Sequence, residues 1–238
     1  MTPLVTPVGE VTSTLSAWFQ RRFTSLQDLA QDLSVEVTRD ATDHLLLSET
    51  GKQRMRARST TFLEEHAVVD GCGLIFSREA LGTGQGQLEW WVRAGDERFA
   101  RYTFGVNPAG DRYYDYEQLE WFTKAYQTGE LSLAGPYIDY LGVEDYIVTL
   151  TTPIQVGQVR AGVAGLDIQM TDIESSLVPI LRQSEHDVAI LNDHGSVLIG
   201  SSGRFLPGDR LTQLPEGYTT SPLEPAEAGL ALLHRQAT

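Results

Sequence analysis

The chain has 238 residues, of which 41% are hydrophobic, so it can bury a sizeable core and is not expected to be disordered. Its 32 acidic and 18 basic residues give a net charge of -14 without a cluster of Lys and Arg, which excludes nucleic acid and anionic membrane as expected partners. The N-terminus does not resemble a secretory signal, and no apolar stretch approaches the ~18 residues of a membrane span. The sequence therefore predicts a cytoplasmic protein, or an extracytoplasmic one if the chain is a piece of a membrane receptor.

Two helices are predicted at the start of the chain. Apolar residues at three- and four-residue steps indicate a long amphipathic helix over residues 9–39. A helix of this length can pack along its own domain or pair with a second copy of the chain, which leaves a homodimer open. A second helix is predicted over residues 50–66, with Met55, Phe62 and Leu63 on one side.

Strand patterns start at Val68. Residues 89–93 and 98–106 are predicted to form a hairpin around a tight turn. The glycine-rich run at 82–86 lacks the full spacing of a dinucleotide-binding motif, so it is interpreted as a loop. The single cysteine, Cys72, is expected to be a buried apolar residue and not a reactive thiol.

The centre of the chain is predicted to contain one short helix and two long strands. The helix covers residues 116–128, with Phe122 in the middle of its apolar arc and Trp121 at the margin. Alternating apolar residues predict strands over 146–154 and 159–168, joined by a glycine turn.

The last part of the chain is predicted to contain a helix and a small β unit. Thr171 and Glu174 form a capping-box pattern that predicts a helix start, and Pro179 is expected to bend or shorten that helix. Residues 187–192 and 196–199 form a second predicted hairpin, with one further strand near 229–234.

The order of these elements favours an α+β fold over a doubly wound parallel sheet. Three parts are expected: residues 1–66 with the two helices, residues 67–182 as a central ligand-binding unit, and residues 183–238 as a smaller β module. No internal repeat is visible.

Isolated carboxylates among aromatic rings indicate a pocket for a small cation. Tyr137 and Asp139 share one face of an extended segment, and Asp167 shares a face of its strand with Val163 and Gly165. A carboxylate facing such neighbours needs a partner, which can be a bound ammonium, an internal arginine or backbone N–H groups. The rings that can enclose a cation are those of Tyr114, Tyr116, Trp121, Phe122 and Tyr137.

Catalytic and metal-binding patterns are missing from the sequence, so no cofactor and no enzymatic activity are predicted. The five histidines are scattered, without metal-ligand spacing, and each is expected on the surface or in a loop. A hydrolase using Asp139 or Asp167 as a base remains a minor alternative, because no nucleophile accompanies those carboxylates.

In their order and spacing, these segments resemble the Cache superfamily of sensor domains, in particular the double-Cache group. The resemblance is carried by the long first helix and by residues 115–122, 135–139, 152–154 and 162–168, while residues 187–198 resemble the start of a second module. It implies a PAS-like fold, with the long N-terminal helix packed on a central antiparallel sheet and a second, smaller β module. It also implies a non-enzymatic small-molecule sensor that acts on a separate, unknown downstream regulator.

In amino-acid-binding members of this superfamily, an arginine and a tryptophan hold the ligand's carboxylate and aspartates hold its ammonium. The arginine position is Leu119 here, which puts carboxylate recognition in doubt and makes a biogenic or quaternary amine the preferred ligand. Arg93, Arg101 or Arg112 could take the place of that arginine, which keeps amino acids open. The positions that match are Trp121, Tyr137, Asp139 and Asp167, with Phe122 in place of a tyrosine.

The change at Leu119 and the long helical stripe also motivate a different class of function. In this alternative, the chain is a structural or protein-interaction module whose pocket has degenerated and binds nothing.

Overall fold

A computed structural model describes residues 6–95, 98–111, 113–139 and 146–236. The N-terminal part consists of helix α1 (Val8–Ser34), the paired strands β1 (Val37–Arg39) and β2 (Leu45–Leu47), and helix α2 (Glu49–Glu65).

The first helix is shorter than the sequence predicts. The stretch 35–39 leaves α1 because β1 pairs with β2 in an antiparallel ladder, which local periodicity could not reveal. Glu36 follows the helix and is buried, with its carboxylate held by Arg54 at 2.6 Å and Arg58 at 3.1 Å. These ion pairs fasten the end of α1 to α2.

A six-stranded antiparallel sheet forms the centre of the molecule. Its strands are β3 (Gly71–Phe76), β4 (Gln87–Arg93), β5 (Phe99–Tyr102), β6 (Ser132–Ile138), β7 (Tyr146–Val156) and β8 (Val159–Gln169). They lie in the order β5-β4-β3-β8-β7-β6. Two short helices accompany the sheet, α3 (Arg78–Leu81) and α4 (Glu120–Thr128).

The two faces of the sheet have different partners. One face packs against α1, whose apolar stripe is buried within the chain together with Leu166 and Ile168 of β8. The other face carries Val163, along with aromatic residues from the connection between β5 and α4. Because side chains alternate along a strand, Asp167 lies on the face of Val163, as predicted.

Two predicted elements of this region differ in length or continuity. Strand β5 ends at Tyr102 and does not reach residue 106. The predicted helix over 116–128 is broken at Leu119, whose extended backbone (φ -88, ψ 144) separates a 3-10 turn from α4. The turn is anchored by a long-range hydrogen bond, in which the Tyr116 hydroxyl donates to the Phe76 carbonyl at 2.6 Å.

Helix α5 (Met170–Leu181) leads from the central sheet to a second, four-stranded sheet. The capping-box prediction is wrong: the N-cap is Gln169, and Thr171 lies inside the helix. The helix also continues two residues past Pro179 before it ends.

The strands of the second sheet are β9 (Ala189–Leu191), β10 (Val197–Gly200), β11 (Tyr218–Pro222) and β12 (Ala231–Arg235). The sheet is antiparallel, in the order β10-β9-β12-β11. Its first hairpin agrees with the prediction, but the tail holds two strands where one was expected. His234 lies in β12 and is buried, with Nε2 2.8 Å from the Ser221 hydroxyl, so the prediction of a surface or loop position is wrong for it.

One hydrophobic cluster runs from α1 through the central sheet and α5 to Ile190 and Leu232 of the second sheet. The three-part division drawn from the sequence stays a prediction. Within the described part of the chain, no helix combines the length and the apolar composition needed to span a bilayer.

Candidate functional site

A cavity lies on the face of the central sheet opposite α1. Its volume is about 40 Å³. Small-molecule sites commonly have volumes of about 300–1,000 Å³, so the cavity is narrow. The lining residues are Ile75, Leu88, Trp90, Tyr102, Phe104, Tyr114, Trp121, Tyr137, Asp139, Thr149, Thr151, Val163 and Asp167.

Asp167, near the end of β8, is one of the two carboxylates in this lining. The residue as a whole is partly exposed, while its carboxyl group is buried. Thr149 Oγ1 donates to Asp167 Oδ1 at 2.6 Å, and Tyr137 Oη lies 2.6 Å from the same threonine oxygen. A hydroxyl has one proton, and that of Thr149 is donated to Asp167. Tyr137 is therefore the donor to Thr149, so both hydrogen bonds point toward the carboxylate.

Burial raises the pKa of Asp167 from 3.8 to about 8. The Thr149 hydrogen bond opposes this shift, while the negative charges of Asp139 and Asp70 add to it. Without a ligand, the cavity therefore keeps Asp167 largely protonated at neutral pH. A bound cation would reverse this balance, because it replaces the solvation that the carboxylate has lost.

The tyrosines of the cavity stay protonated. Burial, followed by the charge of Asp139, raises the pKa of Tyr114 to about 12, and the same two causes raise the pKa of Tyr102. Burial and then the charge of Asp167 raise the pKa of Tyr137. These hydroxyls are therefore neutral hydrogen-bond donors. The charge of Asp139 acts on all three tyrosines, so its carboxylate lies near them.

Thr151 adds an unused polar group to the lining. Its hydroxyl oxygen is buried and has no hydrogen-bond partner among the described residues. A buried hydroxyl without a hydrogen bond costs free energy. In a cavity, such a hydroxyl is available to a bound polar molecule.

Five of the seven predicted site residues line the cavity, and two lie behind it. Tyr116 and Phe122 pack against each other with ring centroids 5.3 Å apart, and both are buried in the wall. The five that line the cavity are Tyr114, Trp121, Tyr137, Asp139 and Asp167.

Sequence reasoning missed several walls of the cavity. Trp90 and Tyr102 come from β4 and β5, whose antiparallel pairing places them opposite each other. The strand pattern of β4 was visible, but its register against β3, which lies between β4 and β8, was not. A Cβ atom at Gly165 would lie 2.9 Å from the Trp90 ring, so this glycine makes room for the indole.

Neither of the two described arginines considered as substitutes lines the cavity. Arg93 donates to the Val69 carbonyl at 2.9 Å, Arg101 pairs with Glu89 at 2.8 Å, and Arg112 lies outside the described residues. Leu119 does not line the cavity but an adjoining groove between α4 and the second sheet, and the two share Tyr114, Trp121 and Tyr137. Among the described residues, therefore, no lysine or arginine lines the cavity.

Cys72 lies on the α1 side of the sheet and is buried. Burial raises the pKa of its thiol, which keeps it protonated, as expected for a structural cysteine.

Comparison with known proteins points to one class of fold. Residues 61–175 match the family model described as methyl-accepting chemotaxis protein-like, first PDC sensor domain. The chain has the fold of PDC sensor domains. Its long N-terminal helix and antiparallel sheets confirm the predicted α+β architecture. A comparison with curated proteins finds no match.

Three solved structures illustrate the likeness. The extracellular domain of soHK1S-Z6, a protein assigned as a histidine kinase, has a TM-score of 0.63 at 13% identity, covering 94% of this chain and 88% of its own. The ligand-binding domain of the Pseudomonas fluorescens chemoreceptor CtaA, in complex with L-valine, has a TM-score of 0.61 at 13% identity, with coverages of 97% and 94%. The ligand-binding domain of the Pseudomonas aeruginosa amino acid chemoreceptor PctC, in complex with GABA, has a TM-score of 0.57 at 16% identity, with coverages of 95% and 96%.

At these identities the likeness concerns the fold alone. Two of these neighbours are ligand-binding domains of chemoreceptors, and the third is named as an extracellular domain. The expectation of a cytoplasmic location therefore finds no support.

Proposed function

We propose that this chain is a non-enzymatic sensor domain whose cavity binds a small organic cation, either an amine or an amino-acid-like molecule. The observation that carries the proposal is the enclosed carboxyl group of Asp167 in a cavity walled by aromatic rings. Asp139 and Asp167 accept hydrogen bonds from the ammonium, and Trp121 and Tyr137 contact its carbon skeleton through their π faces.

The charge of the lining supports an amine over an amino acid. The CtaA and PctC domains were solved with amino acids, and recognition of a carboxylate normally uses a guanidinium or an ammonium group of the protein. No such group lines this cavity in the described part of the chain. The free hydroxyl of Thr151 and the tyrosine hydroxyls can still bind a neutral polar group of the ligand.

Strand β8 provides a route from the cavity to α1. Asp167 faces the cavity, while its neighbours Leu166 and Ile168 point into the core shared with α1. A ligand that draws Asp167 inward favours one position of β8 relative to α1, which is how binding would be relayed to a downstream regulator. By analogy with the extracellular neighbour, we infer an extracytoplasmic location and a double-Cache arrangement whose second module is the four-stranded sheet.

Isothermal titration calorimetry with primary amines, quaternary ammonium compounds and α-amino acids tests this proposal. We expect at least one amine to bind and Asp167→Ala to lose about 2 kcal/mol or more of binding free energy, roughly a thirtyfold change. Glu174→Ala removes the same charge from an exposed position on α5 and is the matched control. A folded protein that binds no member of the panel would falsify the proposal.

The narrow cavity favours a second candidate, a structural or interaction module with a pocket that binds nothing. A volume of about 40 Å³ is small even for a short amine, so we expect binding to widen the cavity. A crystal structure of protein purified from cells separates the two candidates. Density for an organic molecule beside Asp167 supports the sensor, and a closed cavity at saturating amine supports the alternative.

A further inference from the structure

Three metal-ligating side chains from two distant parts of the sequence meet away from the cavity. Glu120 is the first residue of α4, whereas Asp193 and His194 belong to the turn between β9 and β10. Each offers one donor atom, and these three atoms lie within 4.8 Å of one another. The cluster therefore lies between α4, which packs on the central sheet, and the second sheet.

The distances within the cluster are close to those around a transition metal. His194 Nε2 lies 3.0 Å from Glu120 Oε1 and 3.6 Å from Asp193 Oδ1. Two donors bound at 2.0–2.1 Å to a tetrahedral ion stand about 3.3 Å apart. Shifts of a few tenths of an ångström would thus bring both pairs to coordination distance.

The turn holds its two donors in place, and solvent can reach them. The backbone N–H groups of His194 and Ser196 donate to the Asn192 side chain at 3.0 and 2.9 Å, which fixes the loop that carries the imidazole. The side chains of Glu120 and His194 are 42% and 55% exposed. Water can therefore complete the coordination of an ion bound there.

Lys124 is the charged neighbour that competes with a metal. Its ammonium donates to Asp193 Oδ2 at 2.6 Å, while Asp193 Oδ1 faces His194. The two carboxylates outnumber the one ammonium, and an imidazole binds a metal in its neutral form, so these side chains together still favour a cation. The lysine lowers the metal affinity without blocking all three donor atoms.

We propose that Glu120, Asp193 and His194 form a site for a divalent transition metal such as Zn²⁺. An imidazole with two carboxylates suits zinc, nickel or cobalt, whereas Ca²⁺ and Mg²⁺ prefer sites built from oxygen alone. An ion at this position connects α4 to the β9–β10 turn by coordinate bonds. This inference is independent of the ligand proposed for the cavity.

The experiment uses the chain without a histidine tag and measures competition for Zn²⁺ against a chromogenic chelator. We expect one equivalent of Zn²⁺ to bind, and His194→Ala, Glu120→Gln and Asp193→Asn each to weaken binding at least about tenfold. His186→Ala, which removes an exposed histidine elsewhere, should leave the affinity unchanged. All three donors are solvent-exposed, so circular dichroism should show that the variants remain folded.

Lys124→Gln tests the arrangement from the opposite direction. Removal of the competing ammonium should tighten Zn²⁺ binding severalfold, because Asp193 is then free to turn toward the ion. No uptake of Zn²⁺ by the unaltered chain would overturn the proposal. Loss of binding in His194→Ala alone, with the two carboxylate variants unaffected, would also overturn it, since that pattern belongs to an isolated surface histidine.

Discussion

At the residue scale, the raised pKa of Asp167 couples ligand binding to proton release. The carboxyl group has a pKa of about 8 in the empty cavity, and only its ionised form can pair with a cation. The affinity for a quaternary ammonium ligand, whose own charge does not titrate, should therefore rise about tenfold per pH unit up to about pH 8 and then level off.

Calorimetry at pH 6, 7 and 8, in buffers with different ionisation enthalpies, measures both the affinity and the number of protons released. We expect nearly one proton per ligand at pH 6 and 7. An affinity that stays constant over this range, with no proton release, would show that Asp167 is already ionised in the empty cavity.

The same group predicts how stability depends on pH. The pKa of Asp167 is higher in the folded state than its usual value of 3.8, so the folded protein binds the proton more tightly than the unfolded chain. Its favourable contribution is fully present below about pH 3.8 and is lost as the pH rises through about 8. Asp167→Asn cannot ionise, so it should melt at a higher temperature than the unaltered protein at pH 8, with the difference shrinking toward pH 4. Equal melting temperatures at pH 8 would show that burial does not raise the pKa of Asp167.

Thr151 offers a test of ligand contact that hardly changes shape. Thr151→Val replaces a buried hydroxyl without a described partner by a methyl group, so the empty protein should gain up to about 1 kcal/mol of stability. If the hydroxyl contacts the ligand, affinity should fall about fivefold in the same variant. Ser132→Ala is the control, since Ser132 is equally buried and unpartnered among the described residues but does not line the cavity. A control that lowers affinity as much as Thr151→Val would point to a general effect on the sheet.

At the element scale, the spacing of apolar residues predicted a helix or strand where tertiary packing favours that same element. The helix α2, the long strands β7 and β8 and the β9–β10 hairpin all follow from the spacing of apolar residues. The break at Leu119 does not, because the 3-10 turn before it depends on the hydrogen bond from Tyr116 to Phe76, 40 residues away in the chain. The strand β11 was missed because its residues are largely exposed and polar, and only pairing with β12 makes it a strand.

The segment that carries Tyr114 is held against α3 by one arginine. Arg78 Nε donates to Glu117 Oε2 at 2.7 Å, its Nη2 donates to Asp115 at 3.0 Å, and its Nη1 bonds the Tyr113 hydroxyl. The guanidinium fork reaches these partners together, which a lysine cannot do. The segment's position beside the cavity thus depends on Arg78.

Arg78→Lys should therefore lower the free energy of unfolding by about 1.5–3 kcal/mol, the usual worth of a hydrogen bond to a charged group, and weaken ligand binding about threefold or more. Urea denaturation and calorimetry measure the two effects. Arg56→Lys, at an exposed position of α2, is the control and should change neither. Unchanged affinity in a destabilised Arg78→Lys protein would show that this segment does not shape the site.

At the scale of the whole molecule, the two faces of the central sheet have different roles. Its α1 face is packed with apolar side chains, while its other face keeps a polar, aromatic cavity. The sequence indicated this division because Asp167 alternates with Leu166 and Ile168 along one strand. It could not indicate that Trp90 and Tyr102 complete the walls or that Tyr116 and Phe122 lie behind them, since these positions depend on strand register and on the turn before α4.

This arrangement also bears on the homodimer left open by the sequence. The apolar stripe of α1 is buried inside the chain, as with Leu15, Phe19 and Leu26. A dimer through α1 would therefore use the polar side of that helix, and it remains a prediction.

Ligand binding should stabilise the whole fold, because the cavity is lined by side chains from all six strands of the central sheet (β3 to β8) and from α4. At a ligand concentration one hundred times the dissociation constant, the gain is about 2.7 kcal/mol. For a chain of this size, a gain of that magnitude raises the melting temperature by about 5–10 °C. Differential scanning fluorimetry at pH 8, where about half of the Asp167 side chains are ionised in the empty cavity, measures this shift across a panel of amines. With the same amines, Asp167→Asn should show at most about a third of this shift, as follows from a thirtyfold or greater loss of affinity. Glu174→Ala should show the full shift. An amine that shifts the Asp167→Asn protein as strongly as the unaltered one must bind elsewhere, which would remove the cavity from the account of sensing.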